Sequence, residues 1–428
     1  MRIRDETIAG VEFGSRAVRV LIAQRDDEGD IHVIGHGTAP SRGCVQRGVV
    51  QDLSAAQVAF KRAMTAAEKE AGTRVQSVFC GINGCNVETF IGEGNAKLDQ
   101  DIVERHHMKD VLDIASRQVL SPGKHVTAAV TAREWYVDDL RVREPTDIRG
   151  HVLKVRIHFA QLPAVIVDNL CTCIESQKRS VEGLVFIPLA AALACLTPED
   201  MELGAALLDI GHSTTGLAVY RNHRILDTQA FEWGGNDIAR DVAAGLQVSF
   251  EEADDLVLEY GVSENLIRSG VDNYDEEDAE QAVSPSGRIK LRNAVRGAPH
   301  TVERGKLDKI IYLRAGEMLT KIRQHLKENG EMDRQLVRGM VFTGGGAALK
   351  NILALGEDVF DVPCRVGAPD GFKILPHEVT EPEFSGVSGI IRHGFAYRDA
   401  ARAGRLESRG IIGATTYKVA QLIRKYFF

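Results

Sequence analysis

Two segments of the chain share one arrangement of residues, and each could bind a phosphate. Each has an apolar strand that reaches an acidic residue, a glycine two positions later, a small polar turn and a second apolar strand. The acid and glycine are Glu12 and Gly14 in the first copy, and Asp209 and Gly211 in the second. Glycine lets backbone N–H groups approach an anion, and the carboxylate can hold a divalent cation or its bound water. The repeat predicts two similar lobes that close on one nucleotide.

A third glycine-rich turn, Thr343-Gly344-Gly345-Gly346, follows another apolar strand and precedes an apolar helical start. Such a turn brings backbone close to a ribose or an α-phosphate, and the N-terminus of the following helix favours negative charge. A single glycine-rich turn usually marks only a tight turn in the chain. Three of them, each after a strand, favour a nucleotide site.

The spacing of apolar residues predicts the elements that position these turns. A hairpin at 8–23, strands at 31–37 and 75–82 and a helix over Leu53–Ala71 form the start of a mixed α/β lobe. From about residue 85 the apolar pattern changes and predicts one helix and several strands of alternating apolar and polar residues, which indicates a small inserted α+β subdomain. The predicted units are a first lobe core (1–84, 163–203 and 362–398), the inserted subdomain (85–162), a second lobe core (204–245 and 306–361), an outer subdomain (246–305), a linker (399–410) and a terminal amphipathic helix (411–428).

Composition excludes several classes of protein. The chain has 428 residues, enough for two to three domains, and its net charge of −8 argues against non-specific nucleic-acid binding. Seven cysteines without framework spacing fit a reducing cytoplasm. The first apolar stretch is only strand-length, so we expect no signal peptide, and no stretch is long enough to span a bilayer. His106 and His107 lie on a predicted helix without a partner at ligand spacing, so we expect them at the surface.

The last residues predict a helix that lies in a membrane interface. The apolar face at 100° per residue is Val419, Leu422, Ile423, Tyr426 and Phe427, and Lys418, Arg424 and Lys425 lie on the opposite face. Five buried apolar side chains contribute about 10 kcal/mol gross, and three cations add about 1 kcal/mol each near an anionic leaflet. Ordering a dozen residues at about 1 kcal/mol each offsets most of that gain. One tail is therefore a marginal anchor, and stable attachment needs several tails on one assembly. The alternative is a terminal helix docked on its own domain.

With these pieces in place, the chain resembles the actin-like ATPase superfamily and, within it, the FtsA family of bacterial cell-division proteins. The resemblance covers essentially the whole chain and includes the helix after the linker. The segments that support it are 10–15, 41–43, 48–50, 209–211, 234–238 and 343–346.

The resemblance implies ATP and Mg²⁺ bound between the lobes of an actin-like two-lobed fold. We expect Glu12 and Asp209 near the metal, Gly344 to Gly346 near the sugar, and Glu303 and Lys306 on the base and ribose side. The full set of expected nucleotide contacts is Glu12, Gly14, Ser15, Arg16, Asp209, Gly211, His212, Ser213, Thr214, Gly234, Gly235, Asn236, Glu303, Lys306, Thr343, Gly344, Gly345 and Gly346.

The resemblance also implies partners. The protein would polymerise with itself at the division site, as a peripheral protein on the cytoplasmic side of the inner membrane, and tether FtsZ there. The C-terminal peptide of FtsZ would bind the outer subdomain, where Lys290, Arg292 and Arg296 form a basic cluster in an acidic chain. The inserted subdomain would contact neighbouring protomers and other division proteins.

The chain departs from the family pattern at the second hairpin. His212 stands where the family has glycine, and Gly216 stands where it has an acid that could orient the attacking water. We therefore expect slow or undetectable hydrolysis. Two alternatives remain open from the sequence: a peptide-binding actin-like scaffold of pilus or other envelope assembly, and a phosphotransferase or ATPase of the same fold.

Overall fold

A computed structural model describes residues 6–117, 125–142, 144–269, 287–291, 301–330 and 332–402. The helices are Leu53–Ala71, Arg105–Arg117, Ala164–Glu175, Ile187–Cys195, Pro198–Leu203, Gly235–Leu246, Phe250–Tyr260, Glu264–Arg268, Arg304–Glu328, Ile352–Phe360 and Ser385–Arg402. Short 3₁₀ turns are found at Met332–Gln335, Gly345–Ala348, His377–Val379 and Pro382–Phe384.

Two five-stranded sheets have the same topology. The first contains, in spatial order, the strands Ser180–Phe186, Ser77–Ile82, Glu6–Phe13, Ala17–Arg25 and Ile31–Pro40. The second contains Cys364–Val366, Met340–Thr343, Ala205–Ile210, Thr215–Arg221 and Arg224–Phe231. In both sheets an antiparallel hairpin and a third antiparallel strand are followed by two parallel strands on the other side of the first strand. The two lobes that the repeated hairpin predicts are therefore present as one architecture built twice.

A third sheet has its own core. It is antiparallel, in the order Glu88–Lys97, Val152–Pro163, His125–Val137 and Leu140–Val142, and the helix Arg105–Arg117 packs against it. Its buried side chains, which include Trp135 and Phe159, form a cluster distinct from those of the two lobes. Two strand pairs are smaller: Val45–Gln46 with Val49–Val50, and Arg288–Lys290 with Thr301–Glu303.

The first lobe shows why local sequence predicts some elements well. The side chain of Asp52 accepts the backbone N–H of Ala55 at 3.0 Å and caps the helix Leu53–Ala71, which ends at Gly72 with a φ of 62°. The helix lies so close to the strand Ile31–Pro40 that a Cβ at Gly37 would lie 1.9 Å from the carbonyl oxygen of Ala63. Glycine in that strand therefore permits the contact between helix and sheet.

The last described helix corrects the predicted start of the linker. Ser385–Arg402 continues past residue 399 because charged contacts hold its end to the first sheet. Arg25 donates two hydrogen bonds of 2.6 Å to the carboxylate of Asp399, and Arg402 donates to Glu6 at 3.0 Å. Among the described residues, no helix has the length and apolar character needed to cross a bilayer.

Candidate functional site

A cleft of about 570 Å³ lies between the two lobes. Both hairpin turns and the triple-glycine turn line it. The predicted residues that the structure brings to its walls are Glu12, Gly14, Ser15, Arg16, Asp209, Gly211, His212, Thr214, Gly235, Gly344, Gly345 and Gly346.

The two hairpin turns are built alike and touch each other across the cleft. In each turn the backbone N–H of the glycine donates to the carbonyl oxygen three residues later. Gly14 donates to Ala17 at 3.0 Å, and Gly211 donates to Thr214 at 2.8 Å. The hydroxyls of Ser15 and Ser213 lie 2.6 Å apart. The backbone N–H of Arg47 also donates to Ser213 Oγ at 3.0 Å. Phosphates entering between the turns must separate the two serines.

The third turn is held by both lobes. Thr343 is fully buried, and its hydroxyl donates to Pro382 O at 3.1 Å and lies 2.7 Å from Ser385 Oγ. Gly344 has a φ of +77°, and a Cβ there would lie 2.3 Å from Asp209 Oδ1. A Cβ at Gly345 meets nothing within 4 Å. Gly344 is therefore required by the fold, whereas Gly345 borders open cleft.

Residues at the turn after the strand Arg224–Phe231 support the second hairpin from behind. The backbone N–H groups of Gly235 and Asn236 donate to the carbonyls of Gly211 and His212 at 3.0 and 2.8 Å. A Cβ at Gly234 would lie 2.5 Å from Gly211 O. The structure thus places Gly234 and Asn236 one layer behind the cleft wall, where they position the second turn.

Two predicted contacts lie elsewhere. Glu303 and Lys306 are exposed at the start of the helix Arg304–Glu328 and do not line the cleft. The helix reaches the cleft with Ala315, Met318 and Leu319 instead. Ala315 lies eleven residues beyond the start of the helix, a rise of roughly 16 Å along its axis. The base and ribose role of Glu303 and Lys306 therefore stays a prediction.

Burial raises the pKa values of both candidate metal ligands. Burial raises the pKa of Glu12 from 4.5 to about 7 and that of Asp209 from 3.8 to about 6, and nearby Arg19 opposes both shifts. Glu12 Oε2 is buried without a hydrogen-bond partner among the described residues. Two carboxylates in one cleft, one with an unpartnered oxygen, fit Mg²⁺, which prefers oxygen ligands. They could hold the ion directly or through its waters.

The departures at the second hairpin have different consequences. Burial lowers the pKa of His212, which lines the cleft, so its imidazole is neutral near pH 7. Gly216 lies directly opposite Asp209 in the hairpin, but a Cβ there would lie 2.5 Å from Pro188 Cγ. The Pro188 ring leaves no room for an acidic side chain at position 216.

Several cleft residues were missed by reasoning from the sequence. Arg19 lies opposite Glu12 in the first hairpin, and that register was the one signal available to find it. Further cleft residues come from distant parts of the chain and have no motif, among them Asn83, Asp254, Glu381, Pro382 and Glu383. Arg42 also lines the cleft, and it lies in the segment 41–43 without having been predicted as a contact.

The histidine prediction is right for His106 and wrong for His107. His107 is 4% exposed, and its Nε2 lies 2.5 Å from Asp99 Oδ1. Its Nδ1 accepts the backbone N–H of Glu104 at 3.1 Å, which puts the ring proton on Nε2. These bonds tie down the start of the helix Arg105–Arg117.

Other predicted sites are described in part or not at all. Lys290 is exposed on the short strand Arg288–Lys290. Arg292 and Arg296 lie outside the described residues. The predicted membrane helix 411–428, with all its named residues, also lies outside them.

Two lobes of one topology, facing each other across a cleft lined by glycine-rich turns, define an actin-like protein. Among solved structures, the chain is similar to one titled "PilM-PilN type IV pilus biogenesis complex", with a TM-score of 0.60, 16% identity and coverage of 90% of this chain and 98% of that chain. It is also similar to MreB 5 of Spiroplasma citri bound to AMPPNP, with a TM-score of 0.50, 13% identity and coverage of 94% and 99%. These likenesses concern the fold, and they confirm the predicted actin-like α/β class.

Sequence comparison finds relatives that share one name. The family model described as cell division protein FtsA matches residues 206–389. Cell division protein FtsA of Neisseria meningitidis serogroup B is 29% identical over 392 residues, covering 91% of each chain. The protein of the same name from Escherichia coli K12 is 25% identical over 394 residues, covering 90% of each. Over about nine tenths of its length the chain is similar to proteins of the FtsA family, which confirms the resemblance that its motifs predicted.

Proposed function

We propose that this chain is a nucleotide-dependent, actin-like scaffold of bacterial cell division. It polymerises on the cytoplasmic face of the inner membrane at the division site and tethers FtsZ filaments there. The observation that supports it best is the cleft, in which the paired turns of two like lobes meet beside the carboxylates of Glu12 and Asp209. Similarity to cell division protein FtsA over about nine tenths of the chain supports the cellular role.

In this proposal ATP with Mg²⁺ acts as a wedge between the lobes. The phosphates separate Ser15 from Ser213, and Glu12 and Asp209 hold the magnesium or its waters. Bound nucleotide thereby selects one angle between the lobes, and that angle determines whether protomers fit a filament. Chemistry is secondary, because the cleft offers no acid at position 216. Turnover is therefore slow.

Filament formation and membrane binding depend on each other. The tail 411–428 binds an anionic surface weakly by itself, and a filament presents many tails at once. The outer subdomain, with Lys290, Arg292 and Arg296, receives the acidic C-terminal peptide of FtsZ. The third sheet, Glu88–Lys97 with its neighbours, faces neighbouring protomers and other division proteins.

The test is co-sedimentation with phosphatidylglycerol vesicles, with and without Mg²⁺ and ATP. We expect the full chain to pellet with vesicles when ATP is present, and a chain ending at Arg402 to stay in the supernatant. Ile423→Glu should also stay in the supernatant, because it places a charge in the apolar face. Gln421 lies with Lys418, Arg424 and Lys425 on the polar face of the predicted helix. Gln421→Glu is therefore the matched control, since it adds the same charge to that face and should still pellet.

Two results would contradict the proposal. If Ile423→Glu pellets as well as the full chain, the tail is a docked helix and the membrane part fails. If ATP changes neither pelleting nor the sedimentation of the protein alone, the nucleotide does not control assembly.

A further inference from the structure

Arg19 is a buried cation in the wall of the cleft. It extends from the strand Ala17–Arg25 directly opposite Glu12, and the residue is only 8% exposed. Its Nη1 lies 3.7 Å from the point that a Cβ of Gly14 would occupy, beside the first hairpin turn. The other described cations that line the cleft, Arg16 and Arg42, are exposed, and Arg42 is paired with Asp254.

The guanidinium of Arg19 is surrounded by acids and held by one of them. Nη2 donates to Glu383 Oε2 at 2.8 Å, and the guanidinium carbon lies 5.4 Å from the centre of the Phe384 ring. Glu12 and Asp209 lie close enough for the charge of Arg19 to lower the pKa of each. Arg19 Nε is buried and has no hydrogen-bond partner among the described residues. The cation is thus positioned, but its hydrogen-bonding capacity is not fully used.

A cleft built this way is too acidic to accept a polyphosphate without a cation. Three carboxylates of the wall, Glu12, Asp209 and Glu383, would repel the phosphates. A guanidinium presents a planar set of donors that matches phosphate geometry and keeps its charge at any physiological pH. Packed against the Phe384 ring, such a group loses little freedom when a phosphate arrives.

We propose that Arg19 is the phosphate-binding cation of the cleft, and that it exchanges the carboxylate of Glu383 for nucleotide phosphate on binding. The inference rests on the proposed function, since it requires that the cleft bind ATP. Glu383 is 39% exposed at its side chain and can turn to solvent when Arg19 leaves it. Glu383 therefore both positions Arg19 in the empty cleft and competes with the nucleotide for it.

The test compares ATP with adenosine on the full chain by isothermal titration. Arg19→Met keeps the length of the side chain and removes its charge. It should weaken ATP binding about 10- to 100-fold, the usual effect of losing a charged hydrogen bond, and leave adenosine binding unchanged. Arg19→Lys should recover part of the loss. Melting curves without nucleotide establish that each variant is folded.

Glu383→Gln gives a test of opposite sign at a partly exposed position. It removes the competing carboxylate, so ATP should bind several-fold more tightly. In the double variant Arg19→Met/Glu383→Gln that gain should shrink, because no guanidinium remains to be released.

The outcomes separate this inference from the proposed function. If wild type binds ATP and Arg19→Met binds it equally well, the role of Arg19 is refuted and the nucleotide site stands. If Glu383→Gln tightens ATP binding as much in the Arg19→Met background as in wild type, the exchange is refuted, since repulsion between Glu383 and the phosphates would then explain the gain. If wild type binds neither ATP nor adenosine, the proposed function fails and the role of Arg19 fails with it.

Discussion

Replacing Gly345 by aspartate should abolish most ATP binding without unfolding the protein. Gly345 lines the cleft, and a Cβ there meets no atom within 4 Å. The empty protein can therefore accommodate the side chain. With ATP present, the new carboxylate stands in the space that the nucleotide needs.

Coulomb's law sets the size of the effect. A carboxylate about 5 Å from a phosphate, at an effective dielectric constant of about 20, makes the free energy of binding less favourable by about 3 kcal/mol for each unit of phosphate charge. One unit alone weakens binding by about 100-fold. The loss should appear in calorimetric titration with Mg²⁺ and ATP, while the melting temperature without nucleotide changes little.

Neighbouring variants separate charge, size and folding. Gly345→Asn has the same size without the charge, so it should lose much less affinity than the aspartate. Gly345→Ala should bind almost as wild type does. Gly344→Ala should instead lower the melting temperature, because that residue has a φ of +77° and its Cβ would meet Asp209 Oδ1 at 2.3 Å. Wild-type affinity in Gly345→Asp would refute the assignment of this turn to the nucleotide site.

Three further predictions concern pH, turnover and the peptide site. Because the pKa of Glu12 is raised from 4.5 to about 7, its contribution to the free energy of unfolding is fully present below about pH 4.5 and is lost as pH rises through 7. Chemical denaturation between pH 5 and 8 should therefore show the wild-type free energy of unfolding fall by roughly 3 kcal/mol, and Glu12→Gln should show a much smaller fall. Steady-state phosphate release should be far below the ~10 s⁻¹ typical of enzymes, and a rate near it would contradict a scaffold. A labelled FtsZ tail peptide should bind Arg292→Glu/Arg296→Glu more weakly than wild type, and equal affinity would place the peptide elsewhere.

The turns of the site could be predicted because their chemistry is local. An acid two positions before a glycine, at the end of an apolar strand, specifies both the hairpin and the direction of its carboxylate. The repeat of that pattern at Glu12 and Asp209 also predicts the duplicated lobes. Helix ends can be predicted for the same reason, since the residues that cap the helix Leu53–Ala71, Asp52 and Gly72, are its immediate neighbours in the sequence.

Errors arose where a residue's surroundings come from elsewhere in the chain. Glu303 and Lys306 begin a helix that lines the cleft only several turns later, so their role on the base and ribose side stays a prediction. The helix Ser385–Arg402 continues through a charged segment because Arg25, almost four hundred residues away, neutralises Asp399. His107 is buried by a bond to Asp99 that no ligand spacing predicts.

By itself, then, the sequence determined the main strands, the turns and the family resemblance, because strand periodicity and glycine turns are properties of short segments. Only the tertiary structure determined the charge balance of the cleft. Arg19 and Glu383 are separated by 364 positions and become partners because the segment before the last helix returns to the first hairpin. The raised pKa values of Glu12 and Asp209 have the same origin, since burial between two lobes exists only once both lobes have folded and closed.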